Sequence, residues 1–180
     1  MVGRILAFAG LCGAGKSTAV DYLAESAGGQ VIYFGATVLR AVADRGLPPG
    51  SQSEQAIRIE LRKENGPAYL AMQEGKKISE LLSKGIPLFI DAIYVIEEFE
   101  YLSKLCPAVR ANLIAIDTSL ENRLSRLKVR SDRPLSEREI RARDAVERQK
   151  LKTGNVFSQA HHISNDGDLE EFHATLRNLP

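Results

Sequence analysis

Five short strand-like runs punctuate the chain: ILAFA (5–9), VIYF (31–34), IPLFID (86–91), NLIAID (112–117) and HHIS (161–164). The first four are dense in Ile, Leu, Val and Phe without strict alternation, as expected of strands covered on both faces. Helical stretches separate them: STAVDYLAESA (17–27), a long segment before the third run, and further segments from about Glu97, from Ser119 and after HHIS. This alternation predicts βαβ units and a three-layer α/β/α domain with a parallel five-stranded sheet. There is no internal repeat, low-complexity segment or long linker, so residues 1–180 read as a single domain. The least regular stretch is DRGLPPGSQSEQ, where Pro48, Pro49 and Gly50 force a loop. Ser51 and Glu54 then have the spacing of a capping box. Gly66 and Pro67 close that helix and let another begin near Ala68.

Composition narrows the class. A chain of 180 residues is long enough for a full core, and its formal net charge is +1. Near-neutrality argues against binding long nucleic acid. The charge is nonetheless uneven: residues 121–152 hold eleven Lys or Arg against six Asp or Glu. A local arginine cluster suits a small anionic ligand. No run approaches the roughly 18 apolar residues of a membrane span, and the first residues lack a signal-peptide pattern, so the expectation is a cytoplasmic protein with no membrane partner. Two cysteines, Cys12 and Cys106, suit neither a disulfide framework nor a zinc site.

The chemistry concentrates at residues 10–17, GLCGAGKS, directly after the first strand. This fits G-x-x-x-x-G-K-[ST] at Gly10, Gly15, Lys16 and Ser17. Glycines let backbone N–H groups turn inward around a polyphosphate, and the helix that follows aims its positive end at the same charge. The expected ATP cradle is Gly10, Gly13, Ala14, Gly15, Lys16, Ser17 and Thr18. Lys16 reaches phosphate oxygens, while Ser17 and Asp91 are the candidate Mg²⁺ ligands. Asp91 ends a strand, where a carboxylate faces the ligand crevice; it also has the position of a helix N-cap. Asp117 reads as a turn and helix start with Thr118 and Ser119, and His161 and His162 read as structural.

No NKxD-type base-reading element is present, and Asp91 is followed by Ala92 rather than by the Glu of a large ATPase. Around these residues the sequence resembles the nucleoside-monophosphate kinase and dephospho-CoA kinase group. It is most similar to an uncharacterised, mainly archaeal family of such P-loop kinases. GATVLRAVADRG resembles the adenylate-kinase segment that holds the acceptor. ELRKENGPAYLA and FIDAIYVIEEFEYL resemble the archaeal family, and DTSLENRLSRLKVR resembles the approach to an adenylate-kinase lid. RARDAVERQ and HHISNDGDLEEF resemble the closing segments of dephospho-CoA kinases, where NDGDLEEF lies near the nucleotide base. The resemblance implies a helical acceptor-binding insertion at about 36–84 and a short lid at about 126–143. It implies acceptor contacts from Thr37, Arg40 and Arg62.

Phosphoryl transfer is mostly positioning and charge neutralisation. The arginines Arg126, Arg130, Arg133 and Arg143 lie on or beside the interruption RSDRPLSE, and with Lys16 and Asp91 they are the candidate catalytic set. Their plain alternative is a solvated helix face with pairs such as Glu139 with Arg143. Thr37 stands where monophosphate kinases carry Asp, Tyr94 near where an arginine follows, and Ala92 where they carry Gly. The segment YFGATV offers no carboxylate base for a hydroxyl acceptor, whereas a phosphate acceptor is already anionic and needs none. The expectation is therefore an ATP- and Mg²⁺-dependent kinase of a nucleoside or deoxynucleoside monophosphate, monomeric or homodimeric. A dephospho-CoA kinase-like enzyme acting on a ribose hydroxyl, with Asp91 as base, stays open, as does a nucleotide-binding regulatory ATPase.

Overall fold

A computed structural model describes residues 3–129 and 135–180. Its elements are β1 (Ile5–Ala9), α1 (Lys16–Ala27), β2 (Gln30–Tyr33), α2 (Gly35–Asp44), α3 (Ser51–Asn65), α4 (Tyr69–Ser83) and β3 (Leu88–Asp91). There follow α5 (Ile96–Leu105), β4 (Ala111–Asp117), α6 (Leu120–Lys128), α7 (Glu137–Gln149), α8 (Thr153–Phe157), β5 (His161–Ser164) and α9 (Leu169–Arg177). The strands form one sheet in the order β2-β3-β1-β4-β5, with every pairing parallel. The parallel, five-stranded α/β architecture read from the apolar runs is therefore the architecture present. No described helix is long and apolar enough to cross a membrane.

Every residue of β1 is fully buried, which is why its sequence does not alternate. Its odd-numbered side chains (Ile5, Ala7, Ala9) enter a core with α2, α3, α4 and α5, through residues such as Val38, Ile57, Ile78 and Leu102. Leu6 and Phe8 point the other way, into a core with α1 and α9 through Val20, Leu23, Phe172 and Leu176. A smaller cluster of Cys12, Leu127 and Ile140 packs the two helices α6 and α7 beneath the glycine loop. Because β1 lies between β3 and β4, the chain order reverses at its C-terminal end. Such a switch point opens a crevice for ligands. The GLCGAGKS loop leaves β1 there, and in register Phe8 lies beside Asp91 at the end of β3.

Two local expectations need correction. The N-cap of α3 is Gly50, with φ 148° and no side-chain capping bond, and Ser51 is already helical; the Ser51–Glu54 capping box does not form. The cap that does form with that chemistry is at α7, where Ser136 Oγ accepts from the Glu139 N–H and the Glu139 carboxylate accepts from the Ser136 N–H. Glu139 is thereby engaged with Ser136, and Arg143 pairs forward with Glu147 instead.

One ion pair is completely internal. Arg62 on α3 donates to Glu98 on α5, and Glu98 also accepts from the backbone N–H of Tyr94 at 2.9 Å. Removing one partner of a buried pair strands the other charge in a medium that solvates it poorly. Glu98→Ala is expected to lower the unfolding free energy by about 3 kcal/mol or more. Lys76→Ala, which breaks an exposed i,i+4 pair with Glu80, should change it by less than about 0.5 kcal/mol. Urea denaturation of the two variants checks this contrast.

Candidate functional site

The glycine loop folds as its motif demands. Gly13 and Gly15 have φ of 83° and 104°, a region that side chains other than glycine rarely occupy. A Cβ on Gly13 would also lie 2.8 Å from Leu127 Cδ1. Ala14 is buried, whereas Ser17 and Thr18 in the first turn of α1 are exposed toward the crevice end of the sheet.

Lys16 is buried, and its Nζ donates to the carbonyls of Gly10 and Leu11 at 2.9 and 3.2 Å. Burial works against its charge, but the surrounding Tyr94, Asp91, Glu147 and Cys12 outweigh this, and its pKa is raised above the ordinary lysine value. At neutral pH the carboxylates among these neighbours keep the ammonium charged. Ser17 Oγ donates to Asp91 Oδ2 at 2.8 Å, which brings the loop hydroxyl and the strand-end carboxylate together. Asp91 does not cap a helix, because α5 starts only at Ile96. A hydroxyl and a carboxylate are hard oxygen donors of the kind Mg²⁺ prefers. One turn along α1, burial, Asp91 and then Glu25 push the Asp21 carboxyl above its usual pKa. A divalent cation beside Asp91 would relieve that crowding of negative charge.

The predicted arginines divide. Arg143 reaches the site: its guanidinium donates to Glu147 at 2.8 Å and to the Tyr94 hydroxyl at 3.2 Å. Arg62 does not present a free guanidinium, being held by Glu98, and its face lies 5.9 Å from the Tyr94 ring centroid. Arg126 is turned to the backbone carbonyl of Asn165, 2.9 Å away, rather than over the loop. Arg40 is exposed on α2. Thr37, in the first turn of α2, has a buried hydroxyl without a hydrogen-bond partner among the described residues. Arg130 and Arg133 lie outside the described residues.

Several residues here were not selected from the sequence. Arg58, one turn before Arg62, is buried and stacks over the Tyr94 ring at 5.0 Å from its centroid. Among the described residues no carboxylate lies within ion-pair distance of it. The signal was available: Glu54, Ile57, Arg58, Leu61 and Arg62 have the spacing of a single buried helix face, which places charged side chains in an apolar stripe. Arg123 makes a two-point contact with Asp144 at 3.0 and 2.7 Å and also donates to the Cys12 carbonyl. A groove of about 490 Å³ lies beside the loop, lined among others by Leu11, Ala14, Asp117, Thr118, Arg123 and Phe157. His162 spans its wall, with Nδ1 2.7 Å from Asp117 and Nε2 2.8 Å from the Phe157 carbonyl. The structural reading of His162 and the Ser119 cap of α6 both hold.

Residues 6–151 match the family model of an AAA domain. The chain is 34% identical to a UPF0200 protein of Methanoregula boonei, with 98% of this chain and 95% of the relative covered. It is 32% identical to a UPF0200 protein of Methanothrix thermoacetophila, with 97% and 94% covered. The chain belongs to the UPF0200 family. The mainly archaeal family met in the sequence is thus the right one, and its P-loop domain implies nucleotide binding. Among solved structures, a gluconokinase from Sinorhizobium meliloti superposes with a TM-score of 0.59 at 15% identity, covering 97% of this chain and 89% of that one. A shikimate kinase from Bacteroides thetaiotaomicron does so with a TM-score of 0.57 at 14% identity, covering 97% and 94%. At such identities the likeness is one of fold, and the fold of this chain is P-loop kinase-like.

The Ser17–Asp91 contact makes a specific expectation. Asp91→Asn is expected to weaken nucleotide affinity about tenfold or more when Mg²⁺ is present, on the scale of a lost charged contact. With EDTA the wild type and the variant should bind alike. Calorimetric titration of ATP with and without Mg²⁺ checks both halves.

Proposed function

We propose that this UPF0200 protein is an ATP- and Mg²⁺-dependent phosphotransferase whose acceptor is a small anion, a nucleoside or deoxynucleoside monophosphate. The observation that carries the acceptor's charge is Arg58. It is a buried cation stacked on Tyr94, within ion-pair distance of no carboxylate among the described residues, and Tyr94 is itself bonded to Arg143. Burying a guanidinium unpaired is costly, and a bound phosphate would offset that cost with two parallel hydrogen bonds. ATP would supply the γ-phosphoryl group, and Mg²⁺ would neutralise charge on it. Lys16 and the loop amides would hold the donor phosphates, Ser17 and Asp91 would orient the metal, and Arg143 would meet charge on the transferred group. The acceptor role foreseen for Arg40 and Arg62 passes to Arg58 in this reading. The helices of residues 36–84 then serve the acceptor; of the lid foreseen at about 126–143, residues 130–134 lie outside the described residues.

A hydroxyl acceptor is the second reading. It is favoured by the likeness to a gluconokinase and to shikimate kinases, and Asp91 at the strand end would be the carboxylate that takes the hydroxyl proton. The two readings separate in one assay: ADP formation from Mg-ATP with a panel of nucleoside and deoxynucleoside monophosphates, dephospho-CoA, gluconate and shikimate. Strong stimulation by one monophosphate, with the diphosphate as product, is the expected result. Arg58→Ala should then raise the KM of that acceptor by about tenfold or more and leave the ATP KM nearly unchanged, while Arg40→Ala alters neither. Stimulation by a hydroxyl compound alone would transfer the assignment to the second reading. Stimulation by no acceptor would leave a regulatory ATPase.

A further inference from the structure

A phosphate loop works only if its carbonyls point away from the ligand, so that its N–H groups converge on it. In this chain, side chains from outside the loop take up those carbonyls. Asn165, just beyond β5, donates Nδ2 to the Ala14 carbonyl at 2.8 Å. Thr118, just beyond β4, donates Oγ1 to the same carbonyl at 3.1 Å. Arg123 of α6 takes the Cys12 carbonyl at 3.1 Å. Asn165 is buried and is anchored in turn, its backbone N–H donating to the Asp117 carbonyl at 2.9 Å.

The orientation of the Asn165 amide is fixed by its neighbours. Nδ2 faces a carbonyl, while Oδ1 faces the Arg126 guanidinium at 3.4 Å. A flipped amide would set oxygen against oxygen and donor against donor. The same Nδ2 lies so close over Gly15 that a Cβ there would collide with it. Asn165 therefore touches the loop at the two residues that precede Lys16, and Arg126 holds it from behind.

We infer that Asn165, assisted by Thr118, is a positioning residue for the nucleotide's phosphates. By holding the Ala14 carbonyl outward it aims the loop's N–H groups inward. This rests on the nucleotide-binding reading of the loop, and it deepens that reading by assigning the aim of the loop to residues about 100 and 150 positions away in sequence. Such a role acts on phosphate affinity and leaves affinity for the nucleoside part alone.

The experiment measures binding of Mg-ADP by calorimetry and of adenosine by NMR titration. It uses the wild type, Asn165→Asp, Thr118→Val and the double variant. Asn165→Asp keeps the shape but sets a carboxylate oxygen against the Ala14 carbonyl, so the Kd for Mg-ADP should rise about tenfold or more. The Kd for adenosine should stay within about twofold, a split that general destabilisation would not produce. Thr118→Val should shift the same ligand in the same direction by less. The double variant should lose less than the product of the single effects, because both act through one carbonyl. Unchanged Mg-ADP affinity in both single variants would overturn the inference, as would an equal loss of ADP and adenosine. Should Asn165→Asp fail to fold, Thr118→Val decides between the same outcomes by the same split. A wild type that binds neither Mg-ADP nor Mg-ATP would overturn the underlying reading instead, and is recognisable before any variant is made.

Discussion

The site is organised around the difficulty of keeping positive charge inside a protein. Lys16, Arg58, Arg62 and Arg123 are all buried, and Arg143 nearly so. Each needs a partner, since an unpaired charge in the interior is far less stable than one in water. Glu98 serves Arg62, Asp144 serves Arg123, Glu147 serves Arg143, and two loop carbonyls with nearby Asp91 serve Lys16. These pairings tie α3 to α5 through Arg62 and Glu98, and α6 to α7 through Arg123 and Asp144. Arg58 is the exception among the described residues, and the exception lies in the crevice.

Much of this was legible along the chain. The central strands β1 and β3 followed from short, unbroken apolar runs, because a strand covered on both faces leaves no place for alternation, whereas β5, with one buried residue, was legible only from its place in the βαβ order. The glycine loop and its lysine were legible from a single motif, and Asp91 from its place at the end of a strand that faces the crevice. The arginines were not legible in the same way. Their long side chains reach partners 36, 39 and 49 residues away, as with Arg62 and Glu98, Arg126 and Asn165, and Arg143 and Tyr94. Spacing along a helix says little about which of several carboxylates or carbonyls such a side chain will meet. The missed capping box at Ser51 has a simpler cause: with Gly50 free to take φ 148°, the helix begins one residue earlier than the serine would have it.

Membership of the UPF0200 family and the kinase-like fold bear on different parts of the molecule. The fold accounts for the crevice and for the loop at its mouth, which many small-molecule kinases share. Beside them, Tyr94 has Arg58 of α3 on its face and Arg143 of α7 on its hydroxyl, so one ring gathers positive charge from two separate elements.

The ties on the Ala14 and Cys12 carbonyls also bear on how fast a ligand is captured. They are made between the protein's own groups and ask nothing of a ligand, so the fold itself shapes the cradle. A receptor that must first order itself loses entropy at the moment of binding and slows each productive encounter. Here little remains to be ordered within residues 10–16. Capture at the loop would then be governed by diffusion and charge attraction, and any slow step would belong to elements that move after the phosphates have landed.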